Sequence, residues 1–152
     1  MTVSVRTATR EDAAVAYELV HALAKHENSL PYLQITEAAF TQAAFGDNPA
    51  FNILLAEVHG KPVGVATYLN RFHIWSGATI IELDDLFVRV EARGLGVGTK
   101  LLKAIGILGK EMNAPVKWQV NAGNEDAIRL YKSLGADYAK RGICFWRPEN
   151  IE

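Results

Sequence analysis

The segment "ELDDLFVRVEARGLGVGTKLLKAIG", residues 82–106, constrains this chain more than any other. An apolar strand pattern runs into three alternating glycines, Gly94, Gly96 and Gly98, and a helical pattern starts directly behind them. Glycine is entropically costly to order, so a turn this rich in it must gain something in return. A strand, a glycine turn and a helix N-terminus make an anion cradle. Backbone N–H groups point outward, the helix dipole favours negative charge, and the absent Cβ atoms admit a phosphate closely. Lys100 and Lys103 follow in the first turns of the helix, where the dipole disfavours cations. With Arg89 and Arg93 they concentrate positive charge at the turn of a chain whose net charge is only −1.

That near-neutral balance gives no general basic field, so nucleic acid is not an expected partner. The 152 residues suit one domain, 1–152, with a substantial core; 49% are hydrophobic and 22% charged. No apolar stretch of about 18 residues is present to span a membrane, and the charged start "MTVSVRTATRED" lacks a signal-peptide pattern. Cys144 is the only cysteine, which excludes an intrachain disulfide and points to the cytoplasm.

"TVSVR" alternates as a strand. A helix is expected behind it to about His26, capped by Thr9 or Asp12 and broken before Pro31. "ITEAAFTQAAF" predicts a second, short helix. "NILLAEV" and "PVGVATYLNRF" flank a glycine turn as a hairpin. "HIWSGA" is a loop before the long strand "TIIELDDLFVRV". Leu101, Leu102, Ile105, Leu108 and Met112 form the apolar stripe of the next helix. "PVKWQV" is a strand, "NEDAIRLYKSLGA" a helix ending at Gly135, and "GICFWR" a final strand with Cys144 in the core. This order predicts an α/β or α+β sheet with helices on both faces.

Two known cradles fail on spacing. A P-loop needs G-x-x-x-x-G-K-[ST], whereas Thr99 precedes Lys100 here; a Rossmann fingerprint needs its third glycine one residue later. Arg93-Gly94-Leu95-Gly96-Val97-Gly98 instead resembles the R/Q-x-x-G-x-G/A segment of the Gcn5-related N-acetyltransferases. "VRTATREDA" resembles that family's first strand and helix entry, and "NEDAIRLYKSLGA" its N-x-x-A-I-x-x-Y-x-x-x-G-A segment. "WSGATIIELDDLFVRVEARGLGVG" resembles the diamine (spermidine/spermine) acetyltransferase branch, except that Asp84 stands where the branch has a glutamate.

The resemblance implies a mixed, mostly antiparallel sheet of six to seven strands with a splayed strand pair holding acetyl-CoA. It implies that the backbone of Leu86, Phe87 and Val88 holds the pantetheine arm and thioester. Arg93, Gly94, Leu95, Gly96, Val97, Gly98 and Thr99 would hold the pyrophosphate, with Asn124 and Tyr131 also at the cofactor. It implies a homodimer as well.

Acetyl transfer from a thioester to an amine requires the thioester held and polarised, the amine deprotonated and the thiolate protonated. Tyr131 is the candidate acid, since a phenol of pKa about 10 can protonate a developing thiolate. Ala127, Tyr131 and Leu134 share a helix face, so a core role is the competing explanation. Glu82, Asp84 and Asp85 are costly inside an apolar strand unless they face water or a partner. They suit an alkylammonium acceptor, binding the cation and taking its proton, with Asp84 and Glu82 as catalytic candidates. A salt-bridged strand end is the alternative. In a regular strand Asp85 points away from Glu82 and Asp84; a bulge would change that. His73 and Trp75 offer an aromatic wall for the acceptor. His21 and His26 are five apart rather than four, so no metal is expected.

The sequence therefore points to an acetyl-CoA-dependent N-acetyltransferase acting on a small cationic amine, with diamines and polyamines leading. Acetylation of an amino acid or another amine such as an aminoglycoside is the alternative, as is a non-catalytic acyl-CoA-binding protein.

Overall fold

A computed structural model describes residues 1–152. The chain divides into two compact units, Met1–Trp118 and Gln119–Glu152.

The first unit holds a five-stranded sheet in the order β1-β2-β3-β4-β5. Its strands are β1 (Val3–Thr7), β2 (Asn52–Val58), β3 (Lys61–His73), β4 (Ala78–Val88) and β5 (Val116–Lys117). All neighbouring pairs are antiparallel except β4 with β5, which run parallel. The β2–β3 turn uses His59 and Gly60, both at positive φ (51° and 73°), which matches the twist of the flanking strands.

Alternation sends the two faces of this sheet to different helices. Ile53, Leu55, Val65 and Phe87 pack with Ala16 and Leu19 of α1 (Ala13–His26) and with Phe40 and Ala44 of α2 (Glu37–Phe45). On the other face α3 (Val97–Glu111) buries Val97, Leu101, Leu102 and Ile105. It lies so close that a Cβ on Gly64 would meet Leu101 at 3.1 Å and Val97 at 3.2 Å. The start of α1 is tied to β1: Arg6 donates to both carboxylate oxygens of Asp12 (2.7 and 2.9 Å), and the Thr9 N–H donates to Asp12 Oδ2 (2.7 Å). Thr36 caps α2, its hydroxyl accepting from the Ala39 N–H.

In the second unit, α4 (Glu125–Ser133) starts at Asn124, whose Oδ1 accepts from the Ala127 N–H (3.3 Å). It ends at Gly135, whose φ of 94° glycine adopts without strain.

The fold class stands as expected, with helices on both faces of a mixed, mostly antiparallel sheet. The strand count does not: five strands form rather than six to seven. "PVKWQV" contributes only Val116–Lys117, and "GICFWR" forms no strand. Ile143, Phe145 and Trp146 in that segment are exposed, and so is Cys144, which is not core. The segment has the right alternation, but alternation alone does not make a strand, and these residues enter no ladder. Met112, the last residue of the expected α3 stripe, is 45% exposed because the helix ends at Glu111. No helix is long and apolar enough to cross a membrane.

Candidate active site

The site begins with a slip in the β3–β4 register. Thr67 pairs with Asp85 and Tyr68 pairs with Leu83, so Asp84 is an extra residue, a β-bulge. The bulge resolves the question of which way the acids face. Partners across a ladder share a face, and Leu69, the partner of Glu82, lines the same cavity as Asp84 and Asp85. A regular strand would have turned Asp85 away; the inserted residue gathers all three acids on the α1–α2 side.

That cavity has a volume of about 410 Å³. Leu23, Leu33, Ile35, Phe40, Phe51 and Leu69 give it a largely apolar wall, and Tyr32 and Glu27, both exposed, also line it. Its charged residues are Glu27, Asp84 and Asp85; it holds no lysine, arginine or histidine.

The three acids of β4 are held differently. Asp85 accepts a 2.6 Å hydrogen bond from the hydroxyl of Thr67, which is 4% exposed. Glu82 is ion-paired with Arg71 of β3, Nε to Oε1 at 2.8 Å. No hydrogen-bond donor or cation stands against Asp84. Its carboxyl is raised above the ordinary aspartate range, first by desolvation and then by the charges of Asp85 and Glu82.

The β4 backbone just beyond the bulge is unusual too. The Arg89 N–H donates to the Val63 carbonyl (2.8 Å), which fixes the alternation of the ladder. Val63–Arg89, Val65–Phe87 and Thr67–Asp85 are then hydrogen-bonded pairs, whereas Gly64–Val88 and Ala66–Leu86 are not. The N–H and C=O groups of Leu86 and Val88 therefore point away from β3, toward the side of β5. β5, however, meets β4 only at Ile81 and Glu82. The strands have parted before Leu86, and that edge has no strand partner.

The glycine turn lies beside this edge. A Cβ on Gly98 would stand 3.6 Å from Leu86 Cδ2 and 3.7 Å from Val88 Cγ2. Gly94 and Gly96 have φ of 77° and 75°, and nothing lies within 4 Å of where a Cβ would stand on either. Gly96 is the N-cap of α3 and offers no side chain to its first N–H groups. Leu95 is partly exposed, Val97 is buried in the core and Thr99 is half-buried on the first turn.

The cations expected at the turn are engaged elsewhere. Lys100 Nζ donates to the Val3 carbonyl (2.8 Å), and Arg89 pairs with Glu18 (2.8 Å). Arg93 Nε donates to the Val88 carbonyl (3.1 Å), with its guanidinium over the Phe87 ring. Lys103 alone of the four is exposed without a side-chain bond of this kind.

His73 and Trp75 are not brought to the acids. His73 ends β3 opposite Ala78, and Ala78 is seven strand residues, about 23 Å, from Asp85. His73 Nδ1 contacts Ser76, and Trp75 is 95% exposed at the turn. In the second unit, Tyr131 is half-buried on α4 and Asn124 serves as its cap. Sequence reasoning missed Thr67, Arg71, Glu27 and the α1–α2 wall. The register of the folded sheet connects Thr67 and Arg71 with the acids, and the packing of α1 and α2 on that face brings Glu27 and the wall.

A family model described as "Acetyltransferase (GNAT) family" matches residues 16–136. The chain is 32% identical over 143 residues to the thialysine N-epsilon-acetyltransferase of Sus scrofa, covering 88% of this chain and 84% of that protein. It is 33% identical over 141 residues to the human spermidine/spermine N(1)-acetyltransferase-like protein 1, covering 87% of this chain and 20% of that longer one. Its fold is similar to an aminoglycoside acetyltransferase from an uncultured soil metagenomic sample, in complex with sisomicin. The TM-score is 0.79 at 16% identity, over 95% of both chains.

Proposed function

Because the chain belongs to the GNAT acetyltransferase family and is an N-acetyltransferase, we propose that it moves an acetyl group from acetyl-CoA to a primary amine of a small cationic acceptor, diamine or polyamine in kind. The observation that carries this reading is the bulge at Asp84. It turns the three acids of β4 to one face, with Asp84 and Asp85 lining an apolar cavity, and directly beyond it β4 presents an edge with no strand partner.

The residues at the glycine turn suit the cofactor. Gly94 and Gly96 combine left-handed φ with open space, so a phosphate could approach their backbone closely. The turn would hold the pyrophosphate, and the backbone of Leu86, Phe87 and Val88 the arm and thioester. Bound acetyl-CoA supplies the activated acetyl group. The chain's own residues do the rest. Glu27, Asp84 and Asp85 draw an ammonium into the cavity, and its apolar walls take the hydrocarbon chain. An alkylammonium of pKa about 10.4 is nucleophilic in only about one molecule in a thousand at neutral pH. Asp84 takes its proton, directly or through water. Tyr131 Oη donates the proton needed on the leaving side, a role supported by its place in the N-x-x-A-I-x-x-Y segment.

The name of the thialysine relative favours a second acceptor class, amino acids. The cavity argues against it here, because a carboxylate-bearing acceptor would meet three acids and no cation. The enzyme is proposed to act in the cytoplasm as one domain per chain and as a homodimer. Exposed Phe72, Ile74 and Trp75 at the β3–β4 turn supply apolar surface for such an interface. Release of free thiol from acetyl-CoA across a panel of amines tests the reading. It predicts turnover with diamines, and turnover with no amine would refute it.

A further inference from the structure

Arg71 lies outside the cavity, touches nothing that binds the acceptor, and yet is the one cation committed to the acid cluster. It stands on β3 opposite Ile80 and reaches diagonally to Glu82, with the two side chains 42% and 28% exposed. Glu82 is two residues from Asp84 on the same strand, within about 7 Å along it, and its charge acts on Asp84. Two like charges at that spacing favour protonation of one of them, which would remove a base from the site. The other groups facing Asp84 give no relief. Asp85 on its own strand and Glu27 from the end of α1 are both acidic. Tyr32, between α1 and α2, and Thr67 on β3 are neutral. Lys117 of β5, paired in register with Glu82, makes no ion pair with it.

We infer that Arg71 is a positioning residue: by holding Glu82 toward β3 and balancing its charge, it weakens that carboxylate's opposition to the ionised form of Asp84. The inference rests on the reading of Asp84 as the proton acceptor. A free Glu82 would sit beside Asp84 as an uncompensated anion, and both would compete for the incoming ammonium. Pinned by an always-charged guanidinium, Glu82 becomes half of a local dipole. The three acids then divide their work: Asp85 is fixed by Thr67, Glu82 is balanced by Arg71, and Asp84 is left to exchange a proton.

The test is a titration of the full-length protein labelled with ¹³C at aspartate carboxyls and followed by NMR. The Asp84 signal is the one lost in Asp84→Asn. Arg71→Gln is expected to raise the Asp84 midpoint by about half a unit, and Glu82→Gln to lower it by a similar amount. Arg71→Lys, which keeps the charge, should lie near the parent. In the Glu82→Gln background Arg71→Gln should change little, because there is no anion left to hold. An equal effect of Arg71→Gln in both backgrounds, or no effect in either, overturns the inference. The acid limb of kcat/KM for a diamine should follow the NMR midpoint. If the midpoint moves and the limb does not, Asp84 is not the proton acceptor, and the positioning role fails with it. If no amine is acetylated while the midpoint moves, the fault lies with the proposed function, not with the charge arrangement.

Discussion

Asp84 differs from its acidic neighbours in having nothing to hold it, and that difference sets what can be measured at single residues. Desolvation and two adjacent carboxylates favour its protonated form, so ionisation is delayed as pH rises. The acid limb of kcat/KM should therefore lie above the ordinary aspartate value of about 3.9, and a pH–rate profile would show it. A limb at or below that value would place the titration elsewhere. Tyr131 makes a separate prediction. Tyr131→Phe keeps the ring and loses the proton, so kcat should fall about 10²-fold with little change in acetyl-CoA affinity. Unchanged kcat would leave Tyr131 as a packing residue.

At the scale of elements, the strand and turn that carry the chemistry are separable from those that only support it. Gly96→Val adds a Cβ at a left-handed φ and fills the space over the turn. Calorimetry should show a large loss of coenzyme A affinity with the fold retained, because the core side of α3 is untouched. The start of α1 is a supporting element. Arg6 and the Thr9 N–H hold the Asp12 carboxyl well below the usual range, with the Arg6 hydrogen bond the largest cause. A depressed carboxyl stabilises the fold above its unfolded pKa, near 4, and that contribution is lost as pH falls below it. Asp12→Ala should cost about 1 kcal/mol at pH 7 and much less near pH 2, measured by urea unfolding at both. An equal cost at both pH values would mean that charge plays no part.

The elements themselves were largely legible in the sequence. The cap signal on α1, the alternation in β1 to β4 and the stripe on α3 are local patterns, and all formed close to where they were expected. The glycine turn was legible because left-handed φ leaves a mark in residue type. The bulge was not: nothing in "ELDDLF" says which residue is extra, since that depends on pairing with Thr67 and Tyr68, over a dozen positions away. The same long-range register hid Arg71 and Thr67, and it carried His73 and Trp75 away from the acids they adjoin in sequence. The fate of Lys100 was equally unreadable, because its partner is the Val3 carbonyl, 97 positions distant.

For the whole molecule, the claim is that an acid-lined, cation-free cavity feeds an amine to an acetyl donor held along the open edge of β4. A single comparison addresses it: kcat/KM by thiol release for 1,5-diaminopentane and for lysine, which share a chain length and differ by a carboxylate, in the parent enzyme and in Asp84→Asn. We predict that the parent prefers the diamine by at least about tenfold, and that Asp84→Asn lowers its rate about 10²-fold near neutral pH with partial recovery at high pH. Equal rates for diamine and amino acid, together with an Asp84→Asn variant as active as the parent at every pH, would contradict it.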